Sequence, residues 1–115
     1  MIVAHVRAAA WALVAARSVR RVLDEGGIEA LAVPAPPALP APAGRAVEVA
    51  LRTSRATCLV SSAVRQRWLA EHGDRRDLVI GVVPPRAGFQ AHAWLEGDPQ
   101  PAGQEFREVM RVPAA

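Results

Sequence analysis

Five of the chain's ten prolines fall between Pro34 and Pro42, in the run Val33-Pro-Ala-Pro-Pro-Ala-Leu-Pro-Ala-Pro. Proline fixes φ and removes a backbone donor, so this segment cannot be helix or inner strand. It must run extended, as a connector strapped over the surface. Before it, Val6, Ala10, Leu13, Val14, Val19, Val22 and Leu23 recur at helical spacing, predicting a helix from about Val3 to Glu25 stopped by Gly26-Gly27. After it, a second helix is expected from near Pro42 to about Ser54, and a third from Cys58 to Glu71, with Thr57 as its N-cap. The pattern then shortens from a helical period to a strand-like one. Asp77 to Val83 is a β-branched run, Phe89 to Glu96 alternates across two faces, and Gly97-Asp98-Pro99 is a turn. Gln100 to about Glu105 reads as a short third strand, with a helical or irregular tail to Val112. Helices first and consecutive strands last, without β-α-β alternation, predict an α+β fold with an antiparallel sheet.

A chain of 115 residues that is 51% hydrophobic has material for a single core. The expected division is an N-terminal helix and connector over 1–42 and a core over 43–115, compact together. Net charge is +3, and all 14 basic residues are arginines scattered among 11 acids, so no nucleic-acid footprint is expected. Met1 to Ala16 imitates a signal sequence, yet its uninterrupted apolar run, Ala8 to Ala16, is nine residues, short of the roughly 20 a bilayer demands. The helical pattern also continues past it through Ser18 to Leu23. An uncleaved helix in a cytoplasmic protein, without a transmembrane segment, is the expectation.

Cys58 is the sole cysteine, which rules out an internal disulfide. At the start of a helix its thiol would feel the positive end of the dipole and unpaired N–H groups, both favouring thiolate. An imidazole brought against it would complete a nucleophile–base pair, and His92, in the second strand, is the candidate. Alternation sends Gln90, His92, Trp94 and Glu96 to one face and Phe89, Ala91, Ala93 and Leu95 to the other. A helix laid on the first face would bring the cysteine to His92. The residues alone leave a packing role open for both, since lone cysteines are commonly buried and strand histidines commonly structural. One cysteine and three dispersed histidines do not make a metal site, and no cofactor is expected. His5 and His72 are expected to face solvent, and Trp11 and Trp68 to pack. The group Arg65, Arg67, Arg75 and Arg76 reads as a solvated face or as a device that steers an acidic partner.

The ordered series Arg55-Ala-Thr-Cys58-Leu-Val-Ser-Ser-Ala-Val-Arg-Gln-Arg-Trp-Leu, Leu78-Val-Ile-Gly-Val and Gly88-Phe-Gln-Ala-His92-Ala-Trp-Leu-Glu96 resembles the transglutaminase-like leader peptidases of lasso-peptide biosynthesis. The likeness runs from about Ala43 to Glu105. It implies a papain-like or transglutaminase-like core, with the cysteine helix packed on a small antiparallel sheet and preceded by N-terminal helices. It further implies a cysteine peptidase that removes the leader from a ribosomally made precursor before a separate synthetase closes the macrolactam. In that family the peptidase is fused to a small leader-recognition domain or split from it, and this chain looks like the split form. Its implied partners are the precursor peptide, a separate leader-recognition protein and, as a third candidate, the macrolactam synthetase.

By that resemblance Cys58 and His92 are catalytic, and the histidine's orienting residue is an acid on the next strand, where the best-aligned position holds Gln104. A three-residue loop at Gly97 to Pro99 would pair Glu96 with Gln100 and hence His92 with Gln104; a four-residue loop would pair His92 with Glu105. Gln104, or Glu105 as the other third member, is therefore expected beside the imidazole. Trp94 is a candidate groove wall and Glu96 a minor candidate for substrate contact. Asp98 is expected to act as a turn residue. Two other readings stand beside the peptidase: a non-catalytic adaptor of the same fold that presents precursor to partner enzymes, and an amide-transfer enzyme.

Overall fold

The computed structural model describes residues 1–83, 90–100 and 105–115. Within them lie α1 (Ile2–Gly26), α2 (Gly44–Thr53), α3 (Cys58–Glu71), β1 (Leu78–Val82), β2 (Ala91–Leu95) and β3 (Arg107–Val112), with short 3-10 turns at Ile28–Ala30 and Ala41–Ala43. Three helices precede a three-stranded antiparallel sheet among the described residues, an α+β fold.

Helix α1 presents Ala8, Trp11, Ala12, Ala15, Ala16 and Val19 to the core. Four of these are alanines, so the backbones of α2 and α3 come close, and Val47, Leu51, Val60 and Val64 fill the seam. The helix ends where Gly27 takes φ 70°, a left-handed conformation open to glycine, and its N–H caps Leu23 O at 2.8 Å. At 25 residues α1 has the length and composition to cross a membrane, with a mean hydropathy of 1.3 over an 18-residue window. Counting only the unbroken apolar run understated it, because the helix carries its apolar residues across its arginines.

The proline segment is a strap, as expected, and the core holds it. Leu31, Val33 and Leu39 pack onto the helical cluster, and Trp11 Nε1 donates to Pro34 O at 3.2 Å. His72 completes the fastening, with Nδ1 2.8 Å from Trp68 O and Nε2 2.9 Å from Leu39 O. The ring is thus half-buried and engaged at both nitrogens, not solvent-facing as the sequence suggested.

Helix α3 lies between the helical layer and the sheet. Val60, Ala63, Val64 and Trp68 face α1 and α2, while Leu59 and Leu69 pack on the Leu78, Ala93 and Leu95 face of the sheet. The predicted bounds and cap hold: Thr57 Oγ1 accepts the Val60 N–H at 3.3 Å. Two buried polar side chains pin the helix to the sheet. Ser62 Oγ donates to Ala93 O at 3.3 Å, and Gln66 Nε2 donates to Arg76 O at 2.8 Å and Val112 O at 2.9 Å.

Two expectations about the sheet are corrected. The helix covers the Ala93 and Leu95 face, not the face that carries His92 and Trp94, because the aliphatic side with a small alanine is the one a helix can approach closely. Strand order among the described residues is β2-β1-β3, so β2 and β3 are not paired with each other. The tail expected to be helical or irregular is instead strand β3, Arg107–Val112, on the far side of β1, while the strand expected from Gln100 to about Glu105 falls mostly outside the described residues. A β-branched central strand with two open edges pairs with both neighbours, and no local turn signal reveals which edge the last strand takes.

Candidate active site

Cys58 is the first residue of α3, and its side chain is exposed. First-turn N–H groups of a helix have no intrahelical acceptor, so the sulfur sits at the positive end of the dipole, beside unpaired donors. Across from it is the open edge of β2. Strand β2 bonds to β1 on one side, so on the other its Ala93 N–H is free to donate to Cys58 Sγ, at 3.4 Å. Ser62, one turn along α3, takes the carbonyl of the same residue. The helix and strand are thus laced together at Ala93, with the sulfur against the residue that follows His92.

His92 shares a face of β2 with Trp94. The two rings stack at 5.7 Å between centroids, and Phe106 closes on both, at 5.2 Å from His92 and 5.7 Å from Trp94. Trp94 lies across Gly81, where a Cβ would meet its Cη2 at 2.8 Å. Gly81 is the cross-strand partner of His92, so its missing side chain is the space that the indole fills. Among the described residues Cys58 and His92 form no hydrogen bond; the sulfur meets the strand edge at Ala93, and the imidazole is held by aromatic packing.

The remaining expected residues fall as follows. Gln104 lies outside the described residues. Glu105 is exposed and next in the chain to Phe106. The pairing expected to set either residue beside His92 falls on a segment that lies mostly outside the described residues; among the described residues the row at the level of His92 reads His92, Gly81, Glu108. Glu96 is bound by Arg111 at 2.6 Å, and the same guanidinium reaches Asp77 at 3.2 Å and Glu108 at 2.7 Å. These carboxylates, Glu108 foremost, hold Arg111 firmly protonated.

Asp98 proves to be more than a turn residue. One of its carboxylate oxygens accepts the Leu95 N–H at 3.1 Å, as a turn aspartate should, but both are also held by Arg65 of α3, at 2.9 and 3.1 Å. The Arg65 guanidinium keeps the Asp98 carboxyl below the usual carboxylate range. This bidentate pair is half-buried and clamps the far end of β2 to the cysteine helix. Sequence reasoning missed it, along with the Phe106 ring and the Ala93 N–H, since all three depend on which segments meet. Trp94 did carry a local signal, its place two residues from His92 on the same face. Among the described residues no three His, Cys, Asp or Glu side chains gather to hold a metal ion.

An exposed thiol at a helix start, a backbone donor on its sulfur and a histidine strand alongside form the framework of cysteine-dependent chemistry. A family model for the transglutaminase-like superfamily matches residues 1–111. Comparison with curated proteins and with solved structures found no match. The match takes in α1 and the proline strap as well as the cysteine helix and the sheet, which makes the N-terminal third part of the family's domain. In this superfamily catalysis commonly depends on cysteine. The chain, with Cys58 heading α3 against the histidine strand, belongs to the transglutaminase-like superfamily.

Proposed function

We propose that this protein is a cysteine endopeptidase that removes the leader from a ribosomally synthesised lasso-peptide precursor before the macrolactam forms. The observation that supports it most is the seat of Cys58, exposed at the head of α3 with the Ala93 N–H on its sulfur and His92 next along the strand. In this reading the Cys58 thiolate attacks the carbonyl carbon at the leader–core junction, and a C–S bond forms as the carbonyl π electrons move to oxygen. The Cys58 N–H, free in the first helical turn, donates to that oxyanion. His92 takes the thiol proton and returns it to the leaving amine as the C–N bond breaks. Water, deprotonated by His92, then adds to the thioester; collapse expels the thiolate and frees the new carboxylate.

The imidazole reaches the sulfur by turning about χ1 and χ2 from its place on Trp94 and Phe106. Gln104 or Glu105 is the orienting residue, and the packing of Phe106 on His92 favours Glu105, its chain neighbour. Trp94 walls the substrate groove, and Glu96 flanks it. The partners are the precursor, a separate leader-recognition protein and the macrolactam synthetase, and the setting is cytoplasmic.

Incubation of precursor and recognition protein with the wild-type chain, followed by mass spectrometry, is expected to give free leader and core, each terminus consistent with addition of water. Cys58→Ala is expected to give neither while remaining folded. Products joined to an amine would mean amide transfer instead. One observation favours an adaptor of the same fold, the absence of a hydrogen bond between Cys58 and His92 among the described residues. Intact precursor with wild-type protein and partner would establish that reading.

A further inference from the structure

The seam between α2 and α3 is open on its outer side. A cavity of about 670 Å³ is lined by Arg45, Glu48 and Arg52 of α2, by Arg65 and Trp68 of α3, and by Arg76. A second hollow of about 340 Å³ shares Glu48, Arg52 and Arg65 with it and continues to Ala56 and Ser61. Ser61 is three residues beyond Cys58 on the same helix, so the two hollows form one groove that ends a single helical turn from the thiol.

Four guanidinium groups line the main cavity against one carboxylate. Two of them are committed: Arg65 to Asp98 and, at 3.6 Å, to Glu48, and Arg76 to Asp74 and Asp98. Arg45 and Arg52 are exposed and, among the described residues, carry no ion pair. They sit seven residues apart on α2, two turns along one face, which sets two free cations about 10 Å apart. The floor supplies an independent sign of a ligand. Trp68 is 4% exposed, yet its Nε1 donates no hydrogen bond among the described residues, and none of the buried side-chain nitrogens or oxygens there lacks a partner. The indole N–H therefore opens onto the groove. It opens beside Gly44, where a Cβ would lie 2.5 Å from the nitrogen and cover it.

We infer that this groove binds an acidic peptide segment, with carboxylates on Arg45 and Arg52 and a backbone or side-chain carbonyl on Trp68 Nε1. An elongated, positively lined trough fits an extended chain better than a compact anion, and its end beside the Cys58 turn delivers that chain to the reactive sulfur. The inference rests on the peptidase reading for the statement that the bound segment is substrate, and it names the class: precursor carrying acidic residues near the cleaved bond.

The test is binding to Cys58→Ala, which separates recognition from cleavage. The probe is a fluorescein-labelled octapeptide with two glutamates three residues apart, and its twin has glutamines in their place. The glutamate peptide is expected to bind at least tenfold more tightly than its twin. Its affinity should fall several-fold between 50 and 300 mM salt, and it should shift the Trp68 indole ¹⁵N–¹H resonance while leaving that of Trp11 in place. Arg45→Glu/Arg52→Glu should abolish the difference between the peptides, and the milder Arg45→Gln/Arg52→Gln should reduce it if the charge-reversed protein does not fold. Equal affinity for both peptides, an unchanged preference in the folded arginine variants, or tighter binding of an oligodeoxynucleotide of matched charge would each overturn the inference. Binding of the glutamate peptide, with precursor left uncleaved by the wild-type chain and recognition protein, would retain the groove and remove the peptidase reading; cleavage of precursor without that binding would do the reverse.

Discussion

At the scale of single residues, the proposed chemistry concentrates on one sulfur and one ring. The Cys58 sulfur takes a backbone donor from Ala93 at the head of a helix, contacts that do not involve the histidine. On the peptidase reading His92→Ala is therefore expected to stop turnover by removing the general base, while Cys58 keeps most of its alkylation rate. A collapse of that rate in the variant would assign activation to the imidazole instead. The orienting residue is decided by comparing Gln104→Ala with Glu105→Ala. Because Phe106 packs on His92 and Glu105 adjoins it, Glu105→Ala is expected to be the damaging change, by roughly tenfold or more in kcat with little change in KM. A silent Glu105→Ala with a damaging Gln104→Ala would restore the assignment made from the alignment.

Between elements, two contacts decide how site and scaffold are joined. Gly81 is the seat of Trp94, and a methyl there would meet the indole at 2.8 Å and the Arg107 carbonyl at 3.0 Å. Gly81→Ala is expected to cost about 1–3 kcal/mol in urea denaturation and to weaken catalysis by releasing His92 from its stack. Full activity in that variant would show that the aromatic wall does not position the ring. The other contact is His72, which joins the proline strap to the end of α3. Its two ring nitrogens face two carbonyls, which only the doubly protonated ring can satisfy, so the bonds to Leu39 O and then Trp68 O raise its pKa. A raised folded-state pKa stabilises fully below the unfolded value of about 6.5 and is lost as pH climbs through the folded one. Stability is thus expected to fall from pH 6.5 upward in the native chain. In His72→Gln that slope should disappear, and parallel curves for the two proteins would refute the assignment.

Taken whole, the molecule leaves one side of α1 bare. Ile2, Val3, Val6, Leu13 and Val14 are exposed, with Val49 of α2 beside Leu13 along a shallow hollow. Trp11 packs as expected, buried against Trp68 at 5.8 Å between ring centroids, and leaves the bare side to its aliphatic neighbours. A leader-recognition partner that docks here would raise the local concentration of precursor at Cys58 without new contacts at the scissile bond. Cleavage below saturation is accordingly expected to accelerate at least tenfold with that partner. Val6→Asp/Leu13→Asp should cancel the gain while leaving the partner-free rate unchanged. A gain that survives those substitutions would move the docking surface elsewhere.

Much of this was already legible in the order of residues. Helix α3 and its Thr57 cap, the glycine stop of α1 and the alternation of β2 are local matters of period and capping, set within a turn or two of chain, and they stand as read. The same holds for Cys58 at a helix start and for His92 and Trp94 on a common face. What lay beyond the sequence were the choices between equivalent surfaces. Either face of β2 could have received α3, and the small, aliphatic Ala93 side won because a helix can approach it. Either edge of β1 could have taken the last strand, and β3 took the one away from β2, which set Glu108 in the row of His92 and Gly81. The Ala93 N–H on the sulfur, Asp98 in the grip of Arg65, and the arginine-lined seam all follow from those choices. Each joins residues dozens of positions apart, and only packing of the whole chain brings them within reach of one another.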